Sequence, residues 1–179
     1  MVRVERDWRD ELVLAYPDLF HPAGDPPVQA FPDVGGGWRD LLERACARIP
    51  VAIQADGGTF KATQIREKVG TLRFDRDGTL SPVAASRGEA AVDLAEARAA
   101  CTCEVCGEVG PLYGNGWLTT RCMAHAEGRR PAEVRAGFEN RQIEERYARD
   151  RRVVRCRRSD RETDAVADVE PARFRTEET

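Results

Sequence analysis

The sequence predicts an α+β fold, a small antiparallel sheet with packed helices followed by an appended cysteine- and histidine-bearing module. Three observations predict it. Apolar residues recur at helical spacing from Trp38 to Ile49, apolar and polar residues alternate from Thr71 to Asp75, and two paired Cys/His sets stand between residues 103 and 125.

From the N-terminus, Trp8, Leu12, Leu14, Ala15 and Leu19 fall at roughly helical intervals, and Pro17 interrupts the helix, which should end near Tyr16. His21 to Pro27 is a loop by composition. Gly35-Gly36-Gly37 reads as a flexible entry to the next helix, because neither a Gly-Lys-Ser/Thr ending nor a dinucleotide fingerprint follows it. In that helix Trp38, Leu41, Leu42, Ala45, Cys46 and Ile49 share one face, and Pro50 is expected to end it. Thr59 to Ile65 and Val69 to Asp75 read as two strands, with Leu72 and Phe74 on one face and Thr71, Arg73 and Asp75 on the other. A third, short strand is expected at Thr79-Leu80. Ser81-Pro82 has the chemistry of a helix start, and the Ala-rich stretch to Ala100 continues it, with Val83, Val92, Leu94 and Ala95 turned inward.

Beyond the module, Pro131 to Arg158 holds strong helix formers with a sparse stripe of Val134, Phe138, Ile143 and Tyr147, so a long solvated helix is expected. The last stretch is charged and poor in apolar side chains, which predicts disorder. The expected organisation is thus an α+β domain over 1–100, a metal module over 101–130, a basic helical extension over 131–158 and a disordered acidic tail over 159–179.

With 179 residues and 41% hydrophobic content the chain can bury one core of ordinary size. No apolar run is long enough to cross a bilayer and the N-terminus is charged, so a cytoplasmic protein with no membrane association is expected. In a reducing compartment, six cysteines point to metal binding rather than to a disulfide framework.

The spacing makes that specific. Cys103-Glu104-Val105-Cys106-Gly107 and Cys122-Met123-Ala124-His125 each separate their ligands by two residues, which lets one tight turn aim both side chains at one ion. Three thiolates and an imidazole suit Zn²⁺, and four protein ligands make a structural site rather than a catalytic one, which keeps a position open. Gly110-Pro111 and Gly114-Asn115-Gly116 allow a hairpin that returns the chain to the metal, with Trp117 and Leu118 packing the module on the main core. Cys101 is expected at a helix end, outside the ligand set.

This knuckle, hairpin and final ligand pair resemble the treble-clef group of zinc fingers, over Cys103 to about Gly128. A longer stretch, roughly Glu11 to Glu127, resembles a family of small uncharacterised bacterial and phage proteins. The residues that carry this likeness are Tyr16-Pro17-Asp18-Leu19-Phe20, Gly37-Trp38, Gln64 to Phe74, the four ligands and Gly116-Trp117. The likeness implies a zinc-binding domain and no particular activity. Val69 and Asp75 stand where that family commonly has aromatic residues, and the Arg-rich C-terminal extension also departs from it.

Elsewhere, Arg66, Lys68 and Arg73 can form an anion-binding patch, against which stands local pairing with Glu67 and Asp75 on a solvated sheet face. Arg151, Arg152 and Arg155, within the run from Arg149 to Arg158, are the candidate nucleic-acid contacts, although interspersed acids compete and arginine outnumbers lysine throughout. His21 has no second free histidine and no nucleophile in a recognisable context, so general acid-base catalysis is unmotivated. Cys46 reads as a small core hydrophobe and Cys156 as a surface thiol. The function expected is therefore a non-enzymatic zinc-binding protein that recognises a protein partner or regulates one. The alternatives are a nucleic-acid-binding accessory protein and, furthest from the residues, a metal-dependent hydrolase.

Overall fold

The computed structural model describes residues 7–21, 30–54, 57–114, 116–133, 141–148, 151–160 and 163–169, giving the backbone alone for 141–148 and 151–159. The chain forms two compact units, Met1–Ala132 and Glu133–Thr179. Helices and small antiparallel sheets make it α+β.

In the first unit, α1 (Trp8–Ala15) is capped by the Asp7 carboxylate, which accepts from the Arg9 N–H. Pro17 then opens a separate single turn, α2 (Pro17–Phe20), at the one helical position where its missing N–H costs nothing. Arg9 stacks on the Trp8 ring and donates to the Val34 carbonyl, tying this end of the chain to the segment before the central helix. That helix, α3 (Arg39–Ile53), buries Leu41, Leu42, Ala45, Cys46 and Ile49, the stripe read from the sequence. It runs past Pro50, contrary to expectation: Pro50 sits in the last turn, and its carbonyl still accepts from the Gln54 N–H at 2.9 Å.

The hairpin of β1 (Lys61–Lys68) and β2 (Thr71–Asp77) reverses through Val69 and Gly70, at φ 56 and 79. Positive φ at both turn residues is the geometry that matches the twist of paired strands. Ile65, Leu72 and Phe74 are buried on one face. Thr79-Leu80 forms no strand; Thr79 instead closes the loop by exchanging hydrogen bonds with Thr59. The next helix, α4 (Pro82–Ala99), starts where expected, with the Ser81 hydroxyl accepting from the Ala84 N–H and Pro82 in the first turn. It packs on both α3 and β2 through small residues and Val92, while Val83 is 63% exposed rather than inward. Glu96 of α4 caps the outer edge of β2, its carboxylate accepting from the Phe74 N–H at 2.9 Å. Trp38, Phe20, Leu19, Leu42 and Ile49 are among the most deeply buried side chains of this core.

A second small sheet follows, in the order β4 (Thr119–Thr120), β3 (Leu112–Gly114), β5 (Arg130–Pro131), all antiparallel.

The second unit holds β6 (Arg141–Ala148), β7 (Arg151–Asp160) and β8 (Ala165–Asp168), an antiparallel sheet in that order. Where residues 141–148 and 151–158 are described, the helix expected over 131–158 is therefore corrected to strands. Helix propensity is worth only tenths of a kcal/mol per residue, whereas eight consecutive cross-strand pairs from Arg141↔Arg158 to Ala148↔Arg151 satisfy the backbone in register. Val134 and Phe138 of the expected stripe lie outside the described residues. The tail expected to be disordered contributes β8, and residues 170–179 lie outside the described residues.

Candidate metal centre

The module begins where α4 ends. The Cys101 and Thr102 N–H groups donate to the Arg98 and Ala99 carbonyls, and the Cys101 thiol turns back toward the Arg98 carbonyl at 3.4 Å. Cys101 is thus held at the helix end, away from the ligand group. The next residues form a knuckle, in which the Gly107 N–H donates to the Cys103 carbonyl at 2.8 Å and the Cys103 N–H to the Glu108 carbonyl at 2.7 Å. Gly107 has φ +81, a conformation that glycine adopts without strain. The second pair sits on a single 3-10 turn, Met123–His125, capped by Cys122. Among the described residues no long helix follows it: Glu127 and Gly128 take positive φ, and the chain returns to pair β5 with β3.

These turns bring one ligand atom each from Cys103, Cys106, Cys122 and His125 within 4.8 Å of one another. Sγ of Cys103 lies 3.6 Å from Nδ1 of His125, Sγ of Cys122 lies 3.2 Å from the same nitrogen, and Sγ of Cys106 is 3.6 Å from Sγ of Cys122. A tetrahedron with metal–sulfur bonds near 2.3 Å and metal–nitrogen bonds near 2.0 Å has edges of about 3.5–3.8 Å, so the group has the dimensions to hold a metal ion. Cys103 is fully buried, Cys122 nearly so, and Cys106 faces solvent.

The electrostatics lean the same way. Burial opposes ionisation of the Cys103 thiol, but the N–H groups of Cys122, Cys106 and Val105 and the Cys106 thiol outweigh it and bring the pKa down to about 6. At Cys106 the Glu108 N–H favours the thiolate, yet desolvation and the neighbouring Cys122 and Cys103 sulfurs hold its pKa above the ordinary value. Crowded thiolates repel one another, and a cation between them removes that cost.

Residues that carry no metal-site signature bind this knuckle to the main core. The Gly37 N–H donates to the Glu104 carbonyl at 2.8 Å and the Gly35 N–H to the Glu104 carboxylate at 2.9 Å. That carboxylate also receives Arg121 at 2.8 Å. The indole N–H of Trp38 donates to the Thr102 carbonyl, and the Thr120 hydroxyl to the Gly70 carbonyl at the hairpin tip. A Cβ on Gly37 would stand 2.2 Å from the Cys103 carbonyl oxygen and one on Gly35 2.3 Å from that of Glu104. Gly35 and Gly37 form a close-packed seat for the knuckle, which corrects the reading of the triple glycine as a flexible entry. Its signal in the sequence was three glycines immediately before a tryptophan. Trp117, expected to dock the module, is 68% exposed, and Trp38 does that work instead.

Within the first unit, the other candidates are not part of this group. Arg66 and Arg73 are opposite one another in the hairpin, with Arg66 3.8 Å from the Asp75 carboxylate and Arg73 3.6 Å from that of Glu96. Lys68 is exposed at the strand end, and Glu67 takes the Gly70 N–H rather than a cation. Local pairing therefore accounts for much of the charge of the expected anion patch. Arg151, Arg152 and Arg155 lie in β7, their side chains outside the described residues. His21 is exposed on a bend, and burial with the nearby Glu43 pushes the Cys46 thiol up to about 12, as suits a core hydrophobe.

Fold and site together define an α+β protein carrying a Cys3His group able to hold a metal ion. No family model matches the chain, and neither the curated proteins nor the solved structures searched contain a match to it. Among the described residues no helix is long and apolar enough to cross a membrane.

Proposed function

We propose that this chain is a non-enzymatic zinc-binding protein whose metal is structural and whose module recognises a protein partner. The observation that carries the reading is the convergence of four protein ligand atoms within 4.8 Å. Three thiolates and an imidazole favour zinc over harder divalent ions, and a fourth protein ligand fills the position that a catalytic zinc keeps for water or substrate. The free thiols suit a reducing compartment such as the cytoplasm. Kinship with the treble-clef group and with the small bacterial and phage family belongs to the same proposal, with a 3-10 turn standing where a helix was expected.

Protein recognition is supported by the apolar side chains that the module leaves in solvent. Val105 and Met123, each next to a ligand, are 49% and 88% exposed, and Val109 and Trp117 are 62% and 68% exposed. Large apolar groups held out on a rigid turn are a common means of docking, and methionine adapts to varied partners.

Elemental analysis beside native mass tests the site: one zinc per chain is expected. Cys106→Ser should lose the metal and lower the melting temperature, and a variant with full zinc content and unchanged melting would refute a structural site. For recognition, Trp117→Ala with Met123→Ser should keep zinc and stability but lose a salt-insensitive partner in pull-down; undiminished capture would reject this surface. Turnover abolished by chelation without unfolding would instead identify a metal-dependent hydrolase.

A further inference from the structure

We infer that the metal group is also a redox switch: a hydroperoxide oxidises Cys106 and Cys122 to a disulfide, which ejects the zinc and leaves the module closed. The inference rests on the reading of this group as a structural zinc site. Exposure and connectivity within the ligand set carry it. Cys106 is the exposed member of the four, whereas Cys103 and Cys122 are buried and His125 is half-buried. A small oxidant arriving from solvent therefore meets the Cys106 sulfur first.

A resolving partner is already in place. Sγ of Cys122 lies 3.6 Å from Sγ of Cys106, and a bond of about 2.05 Å needs the two sulfurs to close by only about 1.5 Å. Cys103 is the other thiol within reach, but its sulfur accepts from the N–H groups of Cys122, Cys106 and Val105, which hold it in the knuckle. The Cys101 thiol is turned to the Arg98 carbonyl at 3.4 Å and does not belong to the group.

With zinc bound, both reacting sulfurs are thiolates. The Cys106 sulfur attacks hydrogen peroxide and breaks its O–O bond, giving a sulfenic acid and hydroxide. The Cys122 thiolate then attacks the sulfenic sulfur, forming the S–S bond and expelling a second hydroxide. The sulfurs lose two electrons between them, the peroxide gains both, and two protons from solvent turn the hydroxides into water. Zinc, left with Cys103 and His125 alone, passes to any competing ligand. A dithiol reverses the change, forming its own disulfide as it reduces this one to two thiols.

The choice of pair decides what happens to the fold. Zinc ties the knuckle, through Cys103 and Cys106, to the 3-10 turn, through Cys122 and His125. A Cys106–Cys122 disulfide makes the same tie with one residue from each side, and it closes a loop that restricts the unfolded chain. A Cys103–Cys106 disulfide would stay inside the knuckle and leave the turn loose. Oxidation through Cys122 thus separates two events that a chelator joins, loss of the metal and opening of the knuckle.

Hydrogen peroxide added to the reduced, full-length protein, with a chromogenic chelator reporting free zinc beside a peroxide-free control, tests this. Zinc should appear in step with a fall of about 2 Da in intact mass, distinct from the rise of about 16 Da that methionine oxidation gives. Peptide mapping should join Cys106 to Cys122, and a dithiol should restore both mass and zinc binding. The oxidised protein should melt above the reduced, metal-free one and exchange the Gly37 amide more slowly. Cys106→His, which keeps four ligands, should release zinc at least about tenfold more slowly under peroxide, and Cys101→Ser should respond as wild type. Should Cys106→His fail to fold, the peptide map of the wild-type protein decides alone. Zinc retained under peroxide, a disulfide between Cys103 and Cys106, a Cys106→His variant as sensitive as wild type, or loss of the response in Cys101→Ser would overturn the inference and leave the structural site standing. So would an oxidised protein that melts no higher than the reduced, metal-free one. A reduced protein without zinc would overturn both.

Discussion

Two side chains carry local costs that substitution can expose. Val69 is β-branched, 56% exposed and held at φ 56, a backbone region that strains such residues while asparagine tolerates it. Val69→Asn, completing an Asn-Gly turn with Gly70, should stabilise the protein by about 1 kcal/mol in urea unfolding. A loss of stability would mean that Val69 makes contacts that outweigh its strain. Glu96 presents a different cost. Burial raises its pKa, and the Asp93 and Asp75 charges add to this, against the opposing Phe74 N–H and Arg73. A carboxyl with a raised native pKa binds its proton more tightly when folded. Its contribution is full below the ordinary value of 4.5 and is lost as pH rises through the raised one. Wild type should therefore gain stability relative to Glu96→Gln as pH falls from about 7 to about 4, a comparison that melting curves of both proteins provide. Parallel profiles would show that the buried carboxyl does not titrate in this window.

The elements differ in how far their own residues determine them. The α3 stripe, the Ser81-Pro82 start of α4 and the alternation around Leu72 and Phe74 are local patterns, legible in the sequence because one face of one element decides each. The ligand spacing was legible for the same reason: each pair is set by a single turn. What escaped was decided by contact between distant segments. Nothing near Gly35 or Gly37 in the chain announces that Glu104 packs against them 69 and 67 residues later. The strongly helix-forming Arg and Glu residues of 141–158 gave no local hint of the cross-strand register that overrides them. The glycine seat makes a definite prediction. Gly37→Ala forces a Cβ against the knuckle backbone and should cost about 3 kcal/mol, together with weaker metal retention in chelator competition. Wild-type stability and retention would show that the seat yields freely.

Across the whole first unit, metal site and apolar core are joined by the same hydrogen bonds, so loss of metal should be felt well beyond its ligands. Removing the ion with a chelator should speed amide hydrogen exchange at Gly37 and Cys103, whose N–H groups donate to Glu104 and Glu108, while the centre of α3 around Leu42 stays protected. Exchange confined to residues 101–126 would show that the seat holds its shape without the knuckle. Trp38 gives this coupling an optical consequence. Its ring is wholly shielded from water, and its indole N–H is held by the carbonyl immediately before Cys103, whereas the ring of Trp117 lies in solvent. The indole of Trp38 should therefore emit at short wavelength and shift to the red when the knuckle opens, on top of the emission of half-buried Trp8 and exposed Trp117. Trp38 thus offers a built-in fluorophore with which binding of a metal ion to the Cys3His group can be tested in real time, without a label.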